Sequence, residues 1–177
     1  MSYWFDLEQV QSFIVGTVGA PGKRVFYLQA RSGVESLTIK CEKQQVAVLA
    51  DFLEKLLADV PPTSPGLASP PDLRQPVAAD WTLGSLGLGY DRETDVIFIV
   101  ANEIVIPDET DDDDDARNDD AIISDSADGQ QARFRLTRDQ VATFIEQARQ
   151  TVSSGRPTCF LCMGPMDPDG HACPRLN

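Results

Sequence analysis

The chain has little histidine, little positive charge and few aromatic side chains. One of its 177 residues is histidine, 7% are aromatic, and 15 Lys and Arg stand against 28 Asp and Glu, for a net charge of −13. This shortage of cations argues against nucleic-acid binding, because phosphates are neutralised by lysine and arginine. The remaining composition, 42% hydrophobic and 24% charged, is typical of a globular protein.

We expect neither a signal peptide nor a membrane-spanning segment. Its first residues, MSYWFDLEQVQSFIVGTVG, carry Asp6 and Glu8 where a signal peptide has positive charge, and they contain no small-residue cleavage site. We therefore expect a cytoplasmic protein with no membrane partner. In a reducing compartment four cysteines do not imply disulfides, so clustered cysteines indicate a metal site or a catalytic site.

Most of the negative charge lies in one segment, residues 107–128. Eleven acids and one arginine give this segment −10 of the total −13. Such a segment repels itself and has little apolar surface to bury, so we predict a disordered acidic loop. A calcium-binding EF-hand loop is the alternative, but counted from Asp111 its sixth and twelfth positions hold Ala116 and Ile122, not the required Gly and Glu.

Two stretches of the chain share one order of predicted elements, three strands and then a helix. The predicted strands are short runs rich in β-branched and aromatic residues, at 12–19, 23–30, 34–41, 81–90, 96–106 and 132–136. The predicted helices, where apolar residues recur at helical spacing, cover 43–60 and 138–152. A linker with six prolines, 61–76, separates the two stretches.

The two stretches also agree in residues. The matching pairs are Gly16-Thr-Val-Gly19 with Gly84-Ser-Leu-Gly87, and Lys43-Gln-Gln-Val-Ala47 with Arg138-Asp-Gln-Val-Ala142. We therefore predict an α+β fold of two tandem β-β-β-α units, about 10–60 and 80–153; chance similarity of short segments is the alternative. Because each unit is too small to bury its own helix, the two should share one core as a pseudo-symmetric domain, with both helices on one face of a joined sheet. Two separate sheets are the alternative arrangement.

Three of the four cysteines and the only histidine lie in the last nineteen residues. Cys159-x-x-Cys162 is followed after eight residues by His171-x-Cys173, and three thiols with one imidazole are a common ligand set for a closed tetrahedral zinc site. We predict that these four residues bind one structural Zn²⁺ in a small tail, 156–177, that follows the domain of residues 1–155. A redox Cys-x-x-Cys pair and unligated thiols are the alternatives, although Met-Gly-Pro-Met-Asp-Pro does not begin a helix as a thioredoxin-like pair should.

The sequence contains no catalytic set and no cofactor motif. With His171 assigned to the metal, neither a Ser-His-Asp nor a Cys-His mechanism has a base. Cys41 stands at the end of an apolar strand and fits a buried small hydrophobe better than a nucleophile. The run Gly84-Ser-Leu-Gly-Leu-Gly-Tyr90 is not G-x-G-x-x-G and leads into a turn, so we interpret it as a glycine-kinked strand.

Four segments carry a family resemblance: GTVGAPGKRVFYLQAR, KQQVAVLADFLEKLL, TLGSLGLGYD and the ending C-x-x-C…MDPDGHACPR. Together they resemble an actinobacterial family of domains of unknown function, DUF3090. Similar members have Cys-Pro-x-Cys-Gly in the first knuckle, where this chain has Phe160 and Met163 in place of the proline and glycine. The resemblance implies no activity. It suggests only a partner class, since genes of such members lie near those of a histidine-phosphatase-like and a lipid-kinase-like protein.

Two functional classes follow from these features. The first is a zinc-containing protein-interaction or adaptor protein with a protein partner, favoured because the motifs are structural. The second is an enzyme or regulatory subunit that acts with a kinase-like or phosphatase-like partner. Nucleic-acid binding ranks third, because residues 132–177 hold only six arginines against four acids and the acidic segment would repel phosphate.

Overall fold

A computed structural model of the chain describes residues 4–7, 9–20, 22–60, 71–75, 77–105, 129–154, 159–164, 166 and 173–175. Of residues 4–7 it describes the backbone alone.

The described residues form seven strands and two helices. The strands are β1 (Trp4–Leu7), β2 (Ser12–Val18), β3 (Val25–Ser32), β4 (Glu35–Cys41), β5 (Trp81–Asp91), β6 (Val96–Glu103) and β7 (Gln131–Leu136). The helices are α1 (Lys43–Ala58) and α2 (Arg138–Ser153). All six predicted strands and both predicted helices are confirmed, to within three residues at each end. β1 was not predicted, because four residues are too few to show a strand period.

All seven strands belong to one mixed sheet, in the order β1-β7-β6-β5-β4-β3-β2. Neighbouring strands are antiparallel except at two joins, β1 with β7 and β4 with β5, which are parallel. The β4–β5 join is short and pairs Ile39 with Trp81 and Lys40 with Thr82. The sheet is therefore joined across the two stretches, and the alternative of two separate sheets is wrong.

The sheet must curl, because its two outer strands are neighbours in the sequence. Six strand spacings of about 4.8 Å would place β1 and β2 about 29 Å apart in a flat sheet. Only residues 8–11 connect them, and such a connection spans at most about 19 Å. Side chains near the two edges meet accordingly: the ring centroids of Phe13 on β2 and Phe134 on β7 are 5.1 Å apart.

Helix α2 packs beside the outer edge of β2. The ring of Phe144 lies 4.9 Å from that of Phe13. The backbone N–H of Val15 on this outer strand donates to Gln147 Oε1 at 3.2 Å, so one of the strand's unpaired groups is satisfied by the helix. The helix thus covers part of the edge that the sheet leaves open at β2.

One hydrophobic core lies inside the curled sheet, and both helices contribute to it. Its helical members are Val46, Leu49, Ala50 and Leu53 of α1 and Val141, Phe144 and Ala148 of α2. Alternate residues of the strands complete it, among them Phe13, Val15, Leu28, Ile39, Ile97, Ile99, Phe134 and Leu136. The α+β class and the expected shared core are confirmed.

The two helices begin in the same way. Gln45 and Gln140 each accept, at 2.9 Å, a hydrogen bond from the backbone N–H of their own N-cap residue. Each also donates its side-chain amide to a backbone carbonyl of the other stretch, Gln45 to Leu83 O at 3.2 Å and Gln140 to Val10 O at 2.6 Å. At the start of α2 the Thr137 hydroxyl also accepts from the backbone N–H of Gln140, at 3.3 Å. Each helix start is therefore fixed to a strand segment distant in sequence.

The end of the proline-rich linker packs against the sheet. Leu73 covers Gly16 so closely that a Cβ on this glycine would lie 2.5 Å from Leu73 Cγ. The backbone N–H of Arg74 donates to Gln29 Oε1 at 2.8 Å, and Gln29 is buried. This part of the linker is thus held by specific contacts.

Two predictions concern segments that the structure covers in part or not at all. Linker residues 61–70 and the acidic segment 107–128 lie outside the described residues, so the disorder predicted for the acidic segment stays a prediction. Of the helices described, neither α1 nor α2 is long and apolar enough to cross a membrane.

Candidate metal centre

The three cysteines of the predicted zinc site lie close together. The Sγ atoms of Cys159, Cys162 and Cys173 are all within 4.8 Å of one another, and those of Cys159 and Cys173 are 3.9 Å apart. None of the three cysteines forms a disulfide. His171, the fourth predicted ligand, lies outside the described residues.

A tight turn positions the first two sulfurs. The backbone N–H of Met163 donates to the carbonyl of Cys159, and the N–H of Cys159 donates to the carbonyl of Gly164, both at 2.8 Å. The N–H of Gly164 points at Cys162 Sγ, 3.4 Å away. Because the chain closes on itself within six residues, the two thiols of the Cys-x-x-Cys pair face the same point.

Met163 adopts a left-handed backbone conformation, with φ of 60°. Glycine enters that region without steric cost. For other residues the left-handed conformation costs about 1–2 kcal/mol. The turn therefore carries backbone strain at a residue that is 71% exposed.

The thiols differ in acidity. Backbone N–H groups of Cys162 and Leu161 lower the pKa of the Cys159 thiol to about 6. At Cys173 the Arg175 backbone N–H lowers the pKa, but burial and the neighbouring thiols of Cys162 and Cys159 outweigh that bond and raise it above its usual value. The cluster therefore favours a single thiolate, and further thiolates beside it would repel one another. A bound cation would remove this repulsion, because it stabilises the thiolates that it binds.

The thiol spacing fits a tetrahedral metal site. Sulfurs bound to zinc at about 2.3 Å in a tetrahedron lie about 3.8 Å apart, and the Cys159–Cys173 separation is 3.9 Å. Thiolates are soft ligands that favour zinc, copper(I) and iron–sulfur centres over calcium or magnesium. The three cysteines thus form a group that can hold a metal ion, as the Cys-x-x-Cys spacing predicted.

Cys41 lies outside this cluster and is 3% exposed. Burial, helped by the charge of Glu42, raises the pKa of its thiol to about 12. A thiol that stays protonated at neutral pH is a poor nucleophile, so the interpretation of Cys41 as a buried hydrophobe is supported.

The glycine-kinked strand is confirmed as part of β5. The register with β6 shifts between Leu83 and Ser85. A Cβ on the intervening Gly84 would lie 3.0 Å from the carbonyl oxygen of Glu103 and from backbone atoms of Ile104. This close backbone approach requires glycine at position 84. The residue therefore needs no role in nucleotide binding to explain it.

One polar cluster was missed by the sequence analysis. Asp95 Oδ1 accepts from Arg138 Nε at 2.6 Å and from the Tyr90 hydroxyl at 2.8 Å, and these bonds, Tyr90 first, lower the pKa of the Asp95 carboxyl. The cluster ties the β5–β6 turn to the start of α2. Its members are 43 residues or more apart across that join, so local spacing held no signal for it.

Comparison with known proteins found one family. A family model described as "Protein of unknown function (DUF3090)" matches residues 5–173, a range that includes six of the seven strands in full, both helices and all four predicted ligands. This match confirms the family resemblance of the sequence segments. It does not show the source organism. Searches of the curated proteins and of the solved structures found no match.

Proposed function

The chain belongs to the DUF3090 family, described as proteins of unknown function, and we propose that it is a zinc-containing adaptor protein. In this proposal the tail binds one structural zinc ion and the protein binds a protein partner. The observation that carries it is the meeting of three thiols, from positions 159, 162 and 173, within 4.8 Å.

The proposed ligands are Cys159, Cys162, His171 and Cys173. Three thiolates leave one position of a tetrahedron to fill, and the chain's only histidine stands two residues before Cys173. Four protein ligands leave no position for water or substrate, which is the arrangement of structural zinc sites. The bound ion would supply a cross-link between the two ends of the tail.

Two of the apolar side chains in the described part of the tail bury little surface. Phe160 is 84% exposed and Met163 is 71% exposed, so two of its largest apolar side chains contribute almost no burial. Ordering a residue costs on the order of 1–2 kcal/mol, while structural zinc contributes on the order of 10 kcal/mol. Metal binding is therefore the force expected to order the tail.

The same exposure supports an interaction role. A metal-ordered turn that presents Phe160 and Met163 to solvent is suited to insert into an apolar pocket of another protein, since exposed apolar side chains on rigid turns serve as anchors. Metal-binding thiols also require reducing conditions, which supports a cytoplasmic location.

We also propose that residues 10–60 and 80–153 are copies of one unit. The order β2-β3-β4-α1 recurs as β5-β6-β7-α2. Gln45 and Gln140, which match in the sequence comparison, make the same pair of hydrogen bonds. The shared bond to the N-cap backbone at matching positions supports duplication over chance similarity. The carbonyls that the two amides reach, those of Leu83 and Val10, do not themselves match.

Purification under native conditions tests the adaptor function. Full-length protein, a Cys162→Ser variant and a Cys41→Ala control, which removes a thiol outside the cluster, would be compared for bound metal and for stoichiometric protein partners. We expect wild type and the control to retain zinc and the partner and Cys162→Ser to lose zinc. A wild type that carries a small molecule and no protein partner would contradict the adaptor function.

A further inference from the structure

Strand β5 continues beyond the end of its neighbour. β4 pairs with only the first two residues of β5, Trp81 and Thr82, and then ends at Cys41 before α1 begins. From residue 84 to 91, β5 pairs with β6 on one side, and no strand among the described residues pairs with its other side. Such an edge offers backbone N–H and C=O groups to another strand.

A groove of about 480 Å³ runs between this edge and helix α1. Its apolar lining comes from both elements: Val48, Leu49 and Phe52 of α1 and Leu86 and Leu88 of β5. Val48 and Phe52 are each about half exposed. Two large apolar side chains of α1 therefore remain in contact with water beside an unpaired strand edge.

The corresponding place in the other half of the fold is closed. Gln147, seven residues after Gln140 on α2, accepts from the backbone N–H of Val15 on the open edge of β2. Seven residues after Gln45 on α1 stands Phe52, which lines the groove and has no polar atom to offer the β5 edge. In one half, therefore, α2 accepts a hydrogen bond from the open strand edge. In the other half, Phe52 of α1 makes no hydrogen bond to the β5 edge.

The charge of the groove indicates what it would accept. Glu42 is the only charged side chain among its described lining residues, and the chain as a whole carries −13. Gln45 occupies the carbonyls of Leu83 and Gly84 at the same end, so the free edge begins just beyond it. An incoming segment would be extended and apolar, with a cation at the Glu42 end.

We propose that this groove binds an extended segment of a partner protein, which adds a strand to β5. Its alternate side chains would pack against Val48 and Phe52, and a lysine or arginine would lie beside Glu42. Main-chain hydrogen bonds to an edge strand provide affinity in such complexes, and pockets for alternate side chains provide specificity. This inference rests on the proposed adaptor function and adds to it a second binding site, separate from the tail, with the chemistry of the partner segment that it takes.

Selection from a displayed library of random peptides on the full-length protein tests the proposal. Enriched peptides should alternate apolar and polar residues and carry Lys or Arg near one end. Val48→Asp should weaken their binding by about tenfold or more, because it places a charge in an apolar contact. Val34→Asp is the matched control: Val34 is 96% exposed in the β3–β4 turn, and its change should leave affinity unaltered.

Three further measurements locate the peptide. Glu42→Gln keeps a side-chain acceptor for the start of α1 but removes the charge, so it should weaken cationic peptides several-fold and reduce the salt dependence of binding. Bound peptide should slow amide hydrogen exchange within residues 84–91, and backbone N-methylation of the peptide should abolish binding. No enrichment, or binding unaffected by Val48→Asp, would overturn the proposal.

The outcomes separate this inference from the adaptor function. A natural partner kept by Val48→Asp and lost by Cys162→Ser would overturn the groove and leave the adaptor function standing. If the wild type has no natural partner but binds library peptides at β5, the adaptor function is overturned and the groove proposal stands. A dimer that dissociates on Val48→Asp, or a small apolar molecule in the groove, would also overturn the peptide proposal.

Discussion

Replacing Met163 by glycine should tighten metal binding, because the native backbone holds this residue at φ 60°. A residue with a Cβ pays about 1–2 kcal/mol for this conformation, and glycine's greater freedom in the unfolded chain offsets part of that relief. The side chain is 71% exposed, so its removal loses little packing. We expect a net gain of about 1 kcal/mol, or about fivefold in metal affinity.

The assay is a competition titration of Zn²⁺ between the full-length protein and a chromophoric chelator at fixed pH. Met163→Ala is the control, because alanine loses the same exposed side chain but keeps the Cβ and hence the strain. We expect alanine to match wild type within about twofold and glycine to exceed both. Equal affinities for the glycine and alanine variants would refute the argument that backbone strain at this turn limits metal binding.

Three other perturbations test separate parts of the account. Deleting residues 108–128 and closing the chain with a short Gly/Ser turn should change the melting temperature by only a few degrees, since closure entropy grows slowly with loop length; loss of the folded state would show that the segment is packed. Gly16→Ala should lower the free energy of unfolding by about 1–3 kcal/mol because its Cβ overlaps Leu73, and thermal denaturation of the same change in a Leu73→Ala background should show a smaller loss. An equal loss in both backgrounds would contradict the contact. The pKa of the Cys159 thiol is about 6, so this residue is a thiolate above that pH. Zinc affinity should therefore lose an additional factor of about ten per pH unit only below about pH 6. A plot of zinc affinity against pH whose slope stays constant through pH 6 would contradict the assignment of Cys159 as a ligand.

The secondary structure was predictable because its signals are local. Apolar residues at helical spacing defined α1 and α2. The joins between elements were not predictable, because β4–β5 and β1–β7 pair residues far apart in sequence. The curl of the sheet follows from β1, whose four residues carry no pattern of their own.

The cysteine cluster was predictable for the same reason, and the groove was not. Cys159 and Cys162 are spaced within one turn, so their chemistry is visible in the sequence. Phe52, by contrast, stands in an apolar pattern that fits a buried helix face, and Leu88 in one that fits a buried strand face. Neither pattern shows that the residue lines a groove. They lie beside an open edge only because β4 ends early. Where β4 ends is determined by pairing across the sheet.

Elemental analysis of the full-length protein, purified without a chelator, tests the central claim most directly. The account predicts one zinc per chain in wild type and a large loss of zinc in Cys162→Ser. Less than half an equivalent of zinc in wild type, or undiminished zinc in the Cys162→Ser variant, would contradict it.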